Sequence, residues 1–218
     1  MSRETDLELI SDGALYTAEN LVKISCNDCK GCSQCCHDMG TSIVLDPYDI
    51  YELCKGVKTS AAALLQTGRI ELNVEDGVIV PNLRMDEETL SCSFLNNEGR
   101  CTIHDFRPGF CRLFPLGRVY DENSFKYFNQ IHECTYPSKS KVKVKKWLGI
   151  PSLAEYERFI LNWHSLVKEL KLEVEKLGIN EETKDLNLRF LEHFYLSPYD
   201  IEEDFYSQIY ERIQKWER

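Results

Sequence analysis

Apolar residues follow two regimes along this chain. In the C-terminal third, Tyr156, Phe159, Ile160, Trp163, Val167, Leu170, Val174 and Leu177 recur at helical steps. That spacing sets them on one face of an α-helix. Ser152 and Glu155 predict a capping box at its start and Gly178 its stop. Asn180 predicts the cap of a second helix, with Leu186, Phe190, Leu191, Phe194 and Tyr195 inward and Ser197-Pro198 as the break. A last helix carries Ile201, Phe205, Ile209, Ile213 and Trp216. Such stripes predict helix packing, with a partner surface as the alternative use.

The first two thirds read differently. Asp46-Pro47 predicts a capped helix that ends at Gly56, and Thr59–Gln66 a short second one that stops at Gly68. Ile70–Val74 and Val78–Val80 around Asp76-Gly77 predict a tight β-hairpin. Leu90–Leu95 reads as a strand, turned back at Asn97-Glu98-Gly99 toward Arg100–Ile103. Gly117–Tyr120 and Phe125–Phe128 predict another hairpin. Leu7–Ile24 shows no assignable period.

Composition narrows the class. The chain has 218 residues, 43% of them hydrophobic, enough for a real core. No apolar run is long enough to span a membrane. Met1-Ser2-Arg3-Glu4 is not followed by an apolar signal segment, so a cytoplasmic location is expected. Net charge is -10. Residues 151–218 hold 15 acidic against 9 basic residues, which argues against a broad nucleic-acid surface. The exception is Lys139–Lys146, where alternating lysines predict either a lysine-guarded edge strand or a phosphate contact with Trp147 stacking.

Cysteine usage changes the picture most. There are ten cysteines, all before residue 135. In a reducing compartment disulfides are disfavoured, so metal ligation or redox chemistry leads. Cys26, Cys29, Cys32 and Cys35 recur at three-residue intervals, and Cys36 completes a doublet. Two intervening residues let a tight turn deliver both thiolates to one metal, and repeated steps of this kind also serve iron–sulfur clusters. Adjacent side chains diverge in extended backbone, so Cys35 and Cys36 are expected to serve different roles. A second group comprises Cys92, Cys101, Cys111 and Cys134. Arg107 and Arg112 stand beside these thiols, where positive charge lowers a thiol pKa and offsets a thiolate-rich site.

The run Cys29-x-x-Cys32-x-x-Cys35-Cys36 resembles the mark of the YkgJ-like cysteine-cluster family, described as zinc- or iron-chelating domains. Arg107-Pro108, Cys111-Arg112 and Phe114-Pro115 match the family's second segment, RPxxCRxFP. The resemblance spans roughly residues 25–135. It implies eight metal-associated cysteines: Cys29, Cys32, Cys35, Cys36, Cys92, Cys101, Cys111 and Cys134. Cys26 then either replaces a family ligand or binds nothing, and Cys54 reads as a core thiol in its helix. His37, His104 and His132 are weaker ligand candidates. One branch of the family resembles flagellin lysine methylases, but this chain is shorter and shows no glycine-rich nucleotide signal. Whether it is an enzyme stays open; if so, Arg107 and Arg112 would bind an anionic group or tune the metal.

Sulfur ligands suit both tetrahedral zinc and iron–sulfur centres. The tight repeat and the apolar dressing of Phe94, Phe106, Phe110, Leu113 and Phe114 favour an iron–sulfur cluster, 4Fe–4S in type, with structural zinc as the alternative. The expected fold is α+β. A small cysteine-rich metal-binding body of short strands and irregular loops occupies residues 1–137. A helical C-terminal extension occupies residues 138–218 and packs on it. The acidic extension is the expected surface for a protein partner; neither a membrane nor nucleic acid is expected.

Overall fold

The computed structural model describes residues 7–26, 32–137 and 139–216. Its N-terminal region consists of short antiparallel strands and loops, and helices dominate after residue 143. A four-residue helix α1 (Leu7–Ile10) leads to strand β1 (Leu21–Ser25). Helix α2 (Pro47–Val57) begins as its residues dictate. The Asp46 carboxylate accepts the Asp49 N–H at 2.9 Å, and the Asp49 carboxylate accepts the Asp46 N–H at 3.1 Å. Two orphan donors at the helix start are thereby satisfied reciprocally. The helix passes Gly56 by one residue and ends at Lys58 in the left-handed conformation. Helix α3 (Ala61–Gln66) follows, capped by Ser60.

Strands β2 (Ile70–Glu75) and β3 (Val78–Leu83) form the first hairpin, with Glu75 opposite Val78. Its two turn residues, Asp76 and Gly77, have φ of +49° and +84°. That is the mirror-image turn whose twist suits a hairpin. Gly77 is also required by space, since a Cβ there would lie 2.6 Å from Val174. Helix α4 (Gly109–Leu113) precedes the second hairpin, β4 (Leu116–Tyr120) with β5 (Phe125–Asn129). Strand β6 (Ser140–Lys143) returns to pair antiparallel with β1 and runs into α5 (Val144–Leu148). The lysine-rich stretch is therefore a paired strand and a helix start. Lys143 and Lys145 both bond Glu19, at 3.1 and 2.7 Å.

The long helix α6 (Leu153–Leu177) buries Tyr156, Phe159, Ile160, Trp163, Leu170 and Val174 as the stripe predicts, with Leu166 in addition. The capping box expected at its start does not form. Ser152 sits at φ +52° with no side-chain bond to the helix, and its carbonyl receives the Glu155 N–H instead. Helix α7 (Glu181–Leu191) is capped by Asn180 and widens into one π turn, Glu192–Leu196, that stops at Ser197. Helix α8 (Phe205–Lys215) starts later than the apolar spacing suggests. Asp204 takes the N-cap by accepting the Ser207 N–H at 2.7 Å, which leaves Ile201 in the preceding turn.

Leu90–Leu95 and Arg100–Ile103 do not become strands. They make single bridges, Met85 to Cys92 and Leu95 to Cys101, and Leu90 has φ +54°. The Cys92 N–H goes to the Cys36 carbonyl at 2.8 Å and the Leu95 N–H to the Cys92 carbonyl at 2.8 Å. The alternation of buried Cys92 and Phe94 with more exposed neighbours reflects a loop with one inward side.

One apolar core runs through both regions. Phe205 lies 5.2 Å from Tyr48 and 5.3 Å from Tyr51, ring centre to ring centre, which docks α8 on α2. Trp163 meets Phe190 at 5.6 Å and Phe194 at 5.1 Å. Burying each such ring stabilises the fold by about 1.5–3 kcal/mol. Asn187 of α7 binds the first hairpin, donating to the Gly77 carbonyl at 3.0 Å and accepting from the Ile79 N–H at 2.7 Å.

Candidate metal centre

The irregular loops between β1 and β6 surround one cavity of about 90 Å³. Eight cysteines line it, carried there by separate segments. Cys26 follows the end of β1, and Cys32 precedes a single helical turn, Gln34–Cys36, that presents Cys35 and Cys36. Cys92 and Cys101 come from the bridged loops, Cys111 from α4, and Cys134 from the turn after β5. Backbone bonds hold these segments in place. The Cys36 N–H reaches the Ser33 carbonyl at 2.8 Å, and the Cys36 carbonyl in turn receives Cys92. Thr135 donates from its hydroxyl to the Gln34 side chain, tying the Cys134 turn to the Cys35 turn.

Of the eight cysteines expected in the site, Cys32, Cys35, Cys36, Cys92, Cys101, Cys111 and Cys134 line the cavity. Cys29 lies outside the described residues. Cys26, expected either to replace a family ligand or to bind nothing, lines it too and is 3% exposed. Cys54 is elsewhere, on α2 in a groove beside Tyr195 and Tyr199, and burial pushes its thiol up to about 11. His104 lines the cavity; His37 and His132 are exposed.

The two arginines part company. Arg107 lines the cavity, where its guanidinium donates to the His104 carbonyl at 2.8 Å. Arg112 points away. It is 8% exposed and donates to the Asp105 carbonyl at 2.5 Å, with Glu52 at 3.9 Å. Helical geometry explains this, because neighbouring residues on α4 project about 100° apart and Cys111 takes the cavity side. The rest of the wall is mixed: Ile43, Leu83, Phe110, Phe114 and Trp147 are apolar, and Gln34, Arg100, Glu133 and Thr135 are polar or charged. Trp147 was not foreseen as part of the site. It reaches the wall because its indole N–H donates to the Phe114 carbonyl at 3.1 Å.

The sulfurs sense one another. Cys35 is drawn down to about 7, first because Cys36 donates a hydrogen bond to it, with Arg107 adding its charge. Cys36 is pushed up, first as that donor, then by burial and by the charges of Cys35, Cys101 and Cys111. Burial leads the upward shifts of Cys92, Cys101 and Cys111, and neighbouring thiolates add to each. Such crowding disfavours several thiolates together unless a cation offsets them. The donor set is soft and suits zinc or iron. Among the described residues, no three Cys, His, Asp or Glu side chains converge closely enough to hold one ion as they stand.

Residues 28–135 match the model of the CxxCxxCC family, described as "Putative zinc- or iron-chelating domain". This segment is a domain of that family. The CxxCxxCC domain thus contains seven of the eight cavity cysteines, and Cys26 precedes it. It also takes in both hairpins but neither β1 nor β6, the ribbon that flanks it on either side. Comparison with curated proteins and with solved structures finds no match. No helix among the described residues is long and apolar enough to cross a membrane.

Proposed function

We propose that this protein is a thiolate metal-chelating module whose bound ion, zinc in the first reading, fastens the cysteine-bearing loops into one structure. The ligands are drawn from Cys29, Cys32, Cys35, Cys36, Cys92, Cys101, Cys111 and Cys134. The observation that carries the reading is the arrival of thiols from separate segments at one cavity. Bound there, a divalent cation supplies the positive charge that lets several thiolates coexist and cross-links the loops that bear them. The loops have few ladder hydrogen bonds of their own, so a cross-link is the interaction they lack. The chain's own groups prepare the site. Arg107 sets a fixed positive charge beside Cys35, and aromatic residues such as Phe110, Phe114 and Trp147 form part of the wall around the sulfurs.

An iron–sulfur cluster, 4Fe–4S in type, is the second reading. The number of cavity thiols and the aromatic part of their wall favour it. In that case a redox or protein-modifying reaction becomes the natural use, with Arg107 as the group facing an anionic substrate. The arrival of the thiols from several segments suits a cross-linking ion better, and the zinc reading stands ahead of it. A reducing, cytoplasmic setting suits both, and the acidic helical region is the proposed protein-binding face.

The experiment is anaerobic purification followed by metal and acid-labile sulfide analysis with an absorption spectrum. Colourless protein with zinc and no sulfide supports the first reading. Brown protein with matched iron and sulfide moves the assignment to the cluster. Metal-free protein that binds neither ion on titration overturns both.

A further inference from the structure

We infer that Cys26 is an additional metal ligand of the cavity, supplied by the β1–β6 ribbon from outside the family's own motif. This rests on the chelating reading above and extends its donor set. Along β1 the buried positions alternate: Val22 and Ile24 face inward, and Cys26 is next on that side. Continuation of a core stripe is therefore the simplest alternative role. Two observations decide against it.

The first is what surrounds Cys26. Beyond the last ribbon pair, Ser25 with Ser140, its side of the chain opens on the thiol-lined cavity, with Cys32, Cys35 and Cys134 among the other walls. Cys54 provides the contrast, since its groove contains no second cysteine.

The second is the ribbon's construction. Its register shifts between Lys23 and Ser25, directly before Cys26. Such a bulge kinks the strand and re-aims the side chains that follow. On the opposite strand the chain leads back from Ser140 through Lys139, whose ammonium donates to the Cys134 carbonyl. Cys26, one residue past the last ribbon pair, and Cys134, whose carbonyl Lys139 holds on the other side of that pair, therefore line the same cavity. Soft donors gathered on one cavity are what a thiophilic cation requires, and their protons leave as the ion enters.

The test compares zinc binding to the metal-free full chain and to Cys26→Ser, by chelator competition, with Cys54→Ser as control. In parallel, the Cβ resonances of labelled cysteines are followed as zinc is added to the unsubstituted chain. The expected result is a roughly tenfold or greater loss of affinity in Cys26→Ser, comparable to or above that of losing an outer-shell partner. The Cys26 Cβ should shift together with that of Cys111 while Cys54 stays in place. Zinc bound equally by wild type and Cys26→Ser, with the Cys26 resonance unmoved, overturns the assignment and leaves the chelating reading intact. Lost affinity with an unmoved resonance also overturns it, because Cys26 then acts by packing. If Cys26→Ser does not fold, the resonance in the unsubstituted chain decides alone. Zinc binding to neither chain overturns the zinc reading, and this assignment with it.

Discussion

The carboxylate of Asp49 on α2 accepts the backbone N–H of Gly109 at 2.6 Å, across sixty residues of chain. This bond is buried, and it fixes the first residue of α4, the helix that carries Cys111 to the cavity. The approach is close: a Cβ on Gly109 would lie 2.3 Å from the Tyr156 hydroxyl. One carboxylate therefore serves twice, as the third residue of the α2 capping box and as the anchor of a thiol-bearing helix.

Asp49→Ala should leave the Gly109 N–H buried without its acceptor. The cost expected is about 1–3 kcal/mol, with roughly 1 kcal/mol more from the broken capping box. Asp49→Asn, which keeps an acceptor oxygen, should recover much of this. Urea unfolding of the two variants checks the order. Metal affinity should fall in the same sequence, because Cys111 loses its support.

Burial pushes the Asp46 carboxyl up to about 6 from its ordinary 3.8, and burial together with Asp46 raises Asp49 well above its usual range. A carboxyl raised on folding holds a proton that the unfolded chain releases. Its contribution to stability is thus full below pH 3.8 and is lost as pH rises to about 6. The wild type should lose stability relative to Asp46→Asn across that window. Parallel curves for the two proteins between pH 4 and 7 would contradict the assignment.

Cys111→Ser should lower metal content and destabilise the N-terminal region, since an oxygen donor replaces a soft thiolate. Cys54→Ser should leave metal content unchanged and cost roughly 1–3 kcal/mol for a hydroxyl placed among apolar groups. Metal analysis with thermal unfolding separates the two. Equal metal in wild type and Cys111→Ser would remove Cys111 from the site.

Of the chain's three tryptophans, Trp147 lines the cavity, while Trp163 and Trp216 pack among the helices. Metal addition should therefore change the emission chiefly of Trp147. Trp147→Phe should abolish most of the metal-dependent fluorescence change and leave binding by competition nearly intact. A response that survives this substitution would place the binding event elsewhere.

Features encoded by neighbouring residues were legible before the structure. Asp46-Pro47 begins a helix, Asp76-Gly77 turns a hairpin and Asn180 caps α7, because each effect is complete within a few residues. The cysteine spacing pointed to a thiol site for the same reason. Ser152 failed as a cap because its backbone takes a left-handed turn at the junction with α5. Arg112 reads as a partner of Cys111 in sequence, but the turn of α4 sends it to Glu52. Cys26, Trp147 and Asp49 acquire their places only through the β1–β6 ribbon, the Phe114 carbonyl and Gly109, contacts between residues far apart in sequence.

The β1–β6 ribbon also sets an order in time. Every cysteine of the chain lies between its two strands. During synthesis at about 5–20 residues per second, Lys143 follows Cys26 off the ribosome by roughly 6–23 s. Throughout that interval the nascent chain displays a growing series of unsheltered thiols, and the ribbon that clasps this stretch of chain at its two ends cannot pair until all of them have emerged. Ions captured early, by whichever cysteines emerge first, would have to be exchanged or rearranged when the clasp closes. The cell's supply of loosely held metal, and any chaperone that shields the emerging run, would then govern how much of the protein matures correctly.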